Sequence, residues 1–144
     1  MYHVIGRGLE ASAGYRRLAF GDTVHVYGGS LSKYAGNWMV TGRLNYVDAR
    51  GGDGETSALL QARRYFGAAG TSFAGLTYSR GLTREEIRGE GDLFRAGTNT
   101  ARAEIHALVT PRVRLTAEAG VSRTSRASGT LWQRTAGAGA SIRF

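Results

Sequence analysis

The residues best suited to chemistry in this chain are its three histidines, His3, His25 and His106. Histidine titrates near neutrality and works as a general base when a nucleophile lies within hydrogen-bond reach. At a membrane surface the matching chemistry is acyl transfer, in which a serine and a histidine trim a lipid chain while a carboxylate orients the base. His106 lies two residues from Glu104, so an extended strand presents both on one face. Spacing places no serine beside them. His25 neighbours Thr23 and Asp22 and matches no known catalytic motif. We read His25 and His106 as polar rim or lumen residues, assign no catalytic residue and expect no enzyme. A lipid-modifying acyl hydrolase centred on one of them is the alternative.

Other site chemistries find less support. Asp48, Asp53 and Glu55 share a glycine-rich stretch, and Glu85, Glu86, Glu90 and Asp92 share another. Carboxylate oxygens are what Ca²⁺ takes, but the spacing matches no calcium loop. Gly6-Arg7-Gly8 and Gly89-Glu90-Gly91 lack the third glycine and the following helix of a phosphate cradle. The chain has no cysteine, which removes disulfides, thiolate catalysis and Cys-based zinc sites. No metal and no cofactor is expected. The formal net charge is +8, Lys33 is the sole lysine, and the arginines are dispersed along the chain. A nucleic-acid partner is not expected from so scattered a footprint.

The elements that position these residues are strands. There are 22 glycines and one proline, Pro111, and charged residues interrupt every stretch long enough for a membrane-spanning helix. Apolar and polar residues alternate with period two. Val113, Leu115, Ala117, Ala119 and Val121 oppose Arg114, Thr116, Glu118 and Ser122, and Ala101, Ala103, Ile105 and Ala107 oppose Thr100, Arg102, Glu104 and His106. About eight strands are expected, at 8–18, 23–34, 37–47, 55–66, 71–80, 98–109, 112–123 and 131–144. Two of them, around Ser57–Phe66 and Ala101–Val109, carry residues that favour helix locally, and alternation is given precedence. From the second strand on, short connections at 34–36, 67–70 and 110–111 alternate with two long polar ones at 48–54 and 81–97 and an intermediate one at 124–129, as in bacterial barrels with short periplasmic turns and longer external loops; the short first connection around Gly21-Asp22 is an exception on the external side.

The fold class expected is all-β, an antiparallel up-and-down transmembrane β-barrel in the outer membrane of a Gram-negative bacterium, with residues 1–144 as one domain. The apolar faces are mostly Ala, Gly, Val and Leu, too thin for a soluble core. The polar faces carry both signs, so Glu10, Arg16, Arg43, Arg63, Arg102, Glu104, Arg114, Glu118 and Arg143 are expected to form a lumen charge network. Tyr34, Trp38, Tyr65, Phe66 and Phe144 at one end, with Tyr46, Tyr78 and Trp132 at the other, are expected as two aromatic girdles. Arg50, Arg80, Arg84, Arg88, Arg123 and Arg126 are expected to meet lipopolysaccharide phosphates or to solubilise the loops. Outer-membrane lipids are thus the expected partners, and Phe144, ending an alternating strand, resembles the signal read by the barrel assembly machinery. A soluble β-barrel that binds a ligand or nucleic acid is the competing architecture.

Four stretches resemble the YaiO family of outer-membrane β-barrel proteins: Gly14-Tyr15-Arg16-Arg17-Leu18, Val26-Tyr27-Gly28-Gly29-Ser30-Leu31, Gln61-Ala62-Arg63-Arg64-Tyr65-Phe66-Gly67 and Gly139-Ala140-Ser141-Ile142-Arg143-Phe144. The resemblance spans residues 8–144. It implies a barrel with more strands than eight, the extra ones preceding this segment after a signal peptide, so that this chain is the C-terminal part of a larger barrel. It implies no catalytic residues. A structural, receptor-like or minor conduit role is expected; a part in surface-polysaccharide export is an alternative by analogy alone.

Overall fold

A computed structural model describes residues 2–20, 22–49, 54–67, 70–81, 98–126 and 129–142. They form nine strands: β1 (Tyr2–Gly6), β2 (Leu9–Phe20), β3 (Asp22–Ala35), β4 (Trp38–Ala49), β5 (Glu55–Phe66), β6 (Ser72–Arg80), β7 (Thr98–Thr110), β8 (Val113–Arg126) and β9 (Gly129–Ile142). One sheet holds all nine in sequence order, every neighbouring pair antiparallel. The two segments with local helix preference are β5 and β7, because a strand with a partner on each side satisfies its whole backbone and outweighs a few tenths of a kcal/mol of propensity per residue, roughly.

One more strand is present than the eight expected. β1 has only five residues, and its adjacent Val4 and Ile5 break the alternation that reveals a strand. The Gly6-Arg7-Gly8 stretch that follows is the hairpin turn, with φ of +99°, +51° and +71°. Successive positive φ values are the geometry whose twist suits a two-strand hairpin. The turn is fastened to β3: Tyr34 N donates to Gly8 O at 2.7 Å, and Lys33 Nζ donates to Arg7 O at 2.7 Å. A Cβ on Gly8 would sit 2.6 Å from Tyr34 O, so only glycine fits there. At the opposite end, β8 and β9 extend further than expected, and residues 127–128 alone separate them.

Cross-strand register sorts the side chains into two faces. One row runs Glu10, Ser32, Thr41, Gln61, Thr77, Arg102, Gly120, Thr135; the next runs Lys33, Val40, Ala62, Leu76, Ala103, Ala119, Ala136 and points the other way. Short hydrogen bonds knit the polar face: Ser12 to Ser30 at 2.7 Å, Ser32 to Thr41 at 2.8 Å, Gln61 to Thr77 at 3.2 Å and Thr98 to Thr124 at 3.1 Å.

The apolar face is the exposed one. Leu44, Leu60 and Leu76 are 62%, 56% and 65% exposed, while the large apolar side chains buried among the described residues are Val24, Met39 and Val47. Water would oppose such an arrangement, since apolar burial is the main drive to fold. Hydrocarbon would favour it.

β1 and β9 are the sheet's two edges and do not pair with each other. With nine antiparallel strands they run in the same direction. No described helix is long and apolar enough to cross a membrane, which says nothing of strands.

Candidate functional site

The densest polar contacts lie on the enclosed face of β5 to β8. Glu104 and Glu118 are direct cross-strand partners, an arrangement of like charges that costs energy if left alone. Arg102 lies within hydrogen-bond reach of both carboxylates, 3.4 Å from Glu104 and closer still to Glu118. Arg63 reaches Glu104 from two strands away at 3.0 Å. Two arginines thus balance two glutamates, and the Glu104 side chain is only 9% exposed. A carboxylate so enclosed needs its charge matched and its lone pairs filled, which this geometry supplies.

Glycine makes the long-range pair reachable. Gly75 sits between Arg63 and Glu104 in the register row. A Cβ there would lie 3.2 Å from Glu104 Cγ and Oε1 and 3.3 Å from Arg63 Cγ. Gly137, the β9 partner of Glu118, leaves that side chain room, since a Cβ there would come within 3.3 Å of Glu118 Cγ. Gly75→Val is therefore expected to destabilise the barrel by about 1–3 kcal/mol, the usual penalty of overpacking. The check is the urea midpoint for unfolding from lipid vesicles, and a midpoint equal to wild type would refute the clearance argument.

An aromatic stack adjoins the charges. Arg63 lies over the Phe73 ring at 4.5 Å, and the Phe73 and His106 rings stack at 4.5 Å with planes 15° apart. His106 Nε2 is 3.8 Å from Glu104 Oε2, and Tyr65 tilts against Phe73 at 5.9 Å while its hydroxyl points at Met39 Sδ, 3.6 Å away. No serine hydroxyl contacts His106 among the described interactions. Phe73 and the glycine gaps are the parts that sequence reasoning did not assign to this cluster.

Of the nine residues expected in the lumen network, four meet here: Arg63, Arg102, Glu104 and Glu118. Glu10, Arg16, Arg43 and Arg114 share the same face by register but lie apart, Glu10 near the Tyr34 hydroxyl and the three arginines exposed. Arg143 lies outside the described residues. The expected girdle residues divide between the faces. Trp38, Tyr46, Phe66, Tyr78 and Trp132 are exposed on the apolar face. Tyr34 and Tyr65 instead belong to the charged face, because their strand parity matches that of Met39 and Arg63. Phe144 lies outside the described residues.

Outward-facing aromatics not foreseen are Tyr15 and Tyr27, which stand beside Tyr46 in one row with ring centroids 5.3 and 6.4 Å apart. The Tyr15 hydroxyl meets His25 Nδ1 at 2.7 Å, and Asp48 is the cross-strand partner of His25. At both limits of the apolar stripe an arginine covers a tryptophan, Arg64 on Trp38 and Arg123 on Trp132, each at 5.8 Å. Of the arginines expected to face phosphate, Arg80 and Arg123 are exposed on the outer face, and Arg126 closes β8. Arg50, Arg84 and Arg88, with Asp53 and the acidic residues at 85–92, lie outside the described residues. Among the described residues, no three His, Asp or Glu side chains gather as a metal site.

Comparison with known proteins agrees with this architecture. A family model described as the YaiO membrane beta barrel domain matches residues 1–86, which carry β1 to β6. No curated protein and no solved structure matches the chain.

Proposed function

Because the chain belongs to the YaiO membrane β-barrel family, we propose that it forms barrel wall in the outer membrane of a Gram-negative bacterium, in a structural, receptor-like or minor conduit role. The observation that carries this is the inverted polarity of the sheet: leucines and tyrosines exposed on one face, neutralised ion pairs enclosed on the other. The same charge cluster and its stacked rings fill space on the lumen side, which argues for a plugged or narrow interior.

Closure calls for more than these nine strands. Pairing β9 with β1 would make a parallel seam, whereas bacterial single-chain barrels are antiparallel with even strand numbers. We take these strands as part of a larger barrel wall for that reason.

Trp38 and Trp132 supply the test, since both stand on the outer face at opposite ends of the apolar stripe. Each is kept as the sole tryptophan of the full-length protein in vesicles containing brominated lipids. Bromine near the headgroup is expected to quench both more strongly than bromine at the chain terminus. Quenching by aqueous acrylamide alone would place these rings in water and defeat the proposal. No catalytic role is assigned. Were lipid hydrolysis centred on His25 or His106, replacing both with alanine would change the lipid A species seen by mass spectrometry, and we expect no change.

A further inference from the structure

The apolar face of β5 to β9 is not smooth. Small and large side chains alternate across it, and together they form an open trough of about 710 Å³. Ala101, Ala103 and Ala119 make its floor, and Leu60, Leu76 and Tyr78 stand along one side. The depression follows from register: Ala101 lies between Tyr78 and Val121 in one row, and Ala103 lies between Leu76 and Ala119 in the next. A volume of this size is in the range of small-ligand sites, roughly 300–1,000 Å³.

The trough ends at a cationic edge. Arg80 and Arg123 flank Asn99 in a single row, one strand apart from it on each side, which sets their Cβ atoms roughly 10 Å apart. Arg134, partner of Val121 one row below, lines the trough itself. None of the three arginines has a carboxylate partner among the described residues. Tyr78 donates to Asn99 Oδ1 at 3.1 Å, and Arg123 rests on Trp132, so the edge is organised by its neighbours. An arginine on the lipid-facing side of a strand is costly unless an anion at the interface meets it. The guanidinium fork matches phosphate oxygens in pairs.

We propose that this trough seats an acyl chain of lipid A, with Arg80, Arg123 and Arg134 on its phosphates. The proposal rests on the reading above, that this face meets the bilayer and that the long-connection end is external. A multiply acylated, phosphorylated glycolipid supplies both features at once: hydrocarbon for the alanine floor and phosphate for the arginine edge.

The test is native mass spectrometry of the full-length protein released from detergent, titrated with lipid A and separately with phosphatidylglycerol. One variant, Arg123→Gln with Arg134→Gln, removes charge from the edge. A second, Ala119→Phe, fills the trough and leaves the charge. Arg17→Gln, on the outer face of distant β2, is the control. Lipid A binding is expected to fall at least tenfold in each of the first two and to be unchanged in the control, with phosphatidylglycerol weaker throughout. Unchanged lipid A binding in both variants, or equal competition by phosphatidylglycerol, would overturn the proposal. Heat-modifiable gel mobility and bromolipid quenching, measured on the same samples, report the barrel itself. A barrel that inserts normally yet ignores lipid A would end this inference while leaving the membrane placement standing.

Discussion

Arg102→Ala is expected to lower the stability of the barrel by about 2–3 kcal/mol, below the roughly 3–5 kcal/mol seen when a fully buried pair loses one partner. The discount reflects exposure, 35% for the Arg102 side chain and 24% for Glu118. Without Arg102, two glutamates face each other across β7 and β8 with Arg63 alone to balance them. Restoring the balance should therefore restore stability. Arg102→Ala combined with Glu118→Gln leaves the Arg63–Glu104 pair neutral and is expected to recover at least half of the loss. Urea unfolding from lipid vesicles measures both. If the double variant is less stable than Arg102→Ala, packing rather than charge balance holds this region.

The second large effect is expected from one step along β5. Leu60→Arg puts a cation on the exposed apolar face, where Leu60 lies between Gly42 and Tyr78. On the lipid face of a barrel an arginine costs up to about 2–4 kcal/mol, rising with depth toward the midplane. Gln61→Arg puts the same side chain on the opposite face, beside Thr41 and Thr77, and is expected to cost less than about 1 kcal/mol because water and hydroxyls solvate it there. The contrast should vanish in the order of magnitude of surface substitutions if the apolar face met water instead, since exposed changes in soluble proteins fall within about 0.5 kcal/mol. Refolding into vesicles with equilibrium urea titration decides between these outcomes.

Much of this arrangement is written in the alternation of residues. Leu60 and Gln61, or Ala103 and Glu104, part company because successive side chains in a strand point to opposite faces. Register across a tight connection is also readable: counting equal steps back from Phe20 and forward from Asp22 sets Tyr15 opposite Tyr27. The same parity assigns Tyr65 to the face of Gln61 and Arg63, and the position of Tyr65 near a strand end concealed that. What could not be read is the register between β6 and β7, which are separated by residues 81–97. Counting fails across so long a connection, and the Gly75–Glu104 pairing that admits Arg63 depends on it. β1 escaped notice for a different reason, its five residues offering too few alternations to count.

The arginine–tryptophan pairs at the two limits of the outer stripe also set a thickness. On β4, Trp38 and Tyr46 mark those limits eight residues apart, roughly 26 Å of strand and roughly 20 Å of depth once the strand tilts. A hydrocarbon layer much deeper than that would pull both pairs off the interface, and a barrel, unlike a lone helix, has little freedom to adjust its tilt. Hydrophobic mismatch of this kind sorts proteins among bilayers, and the bacterial outer membrane is thinner than most.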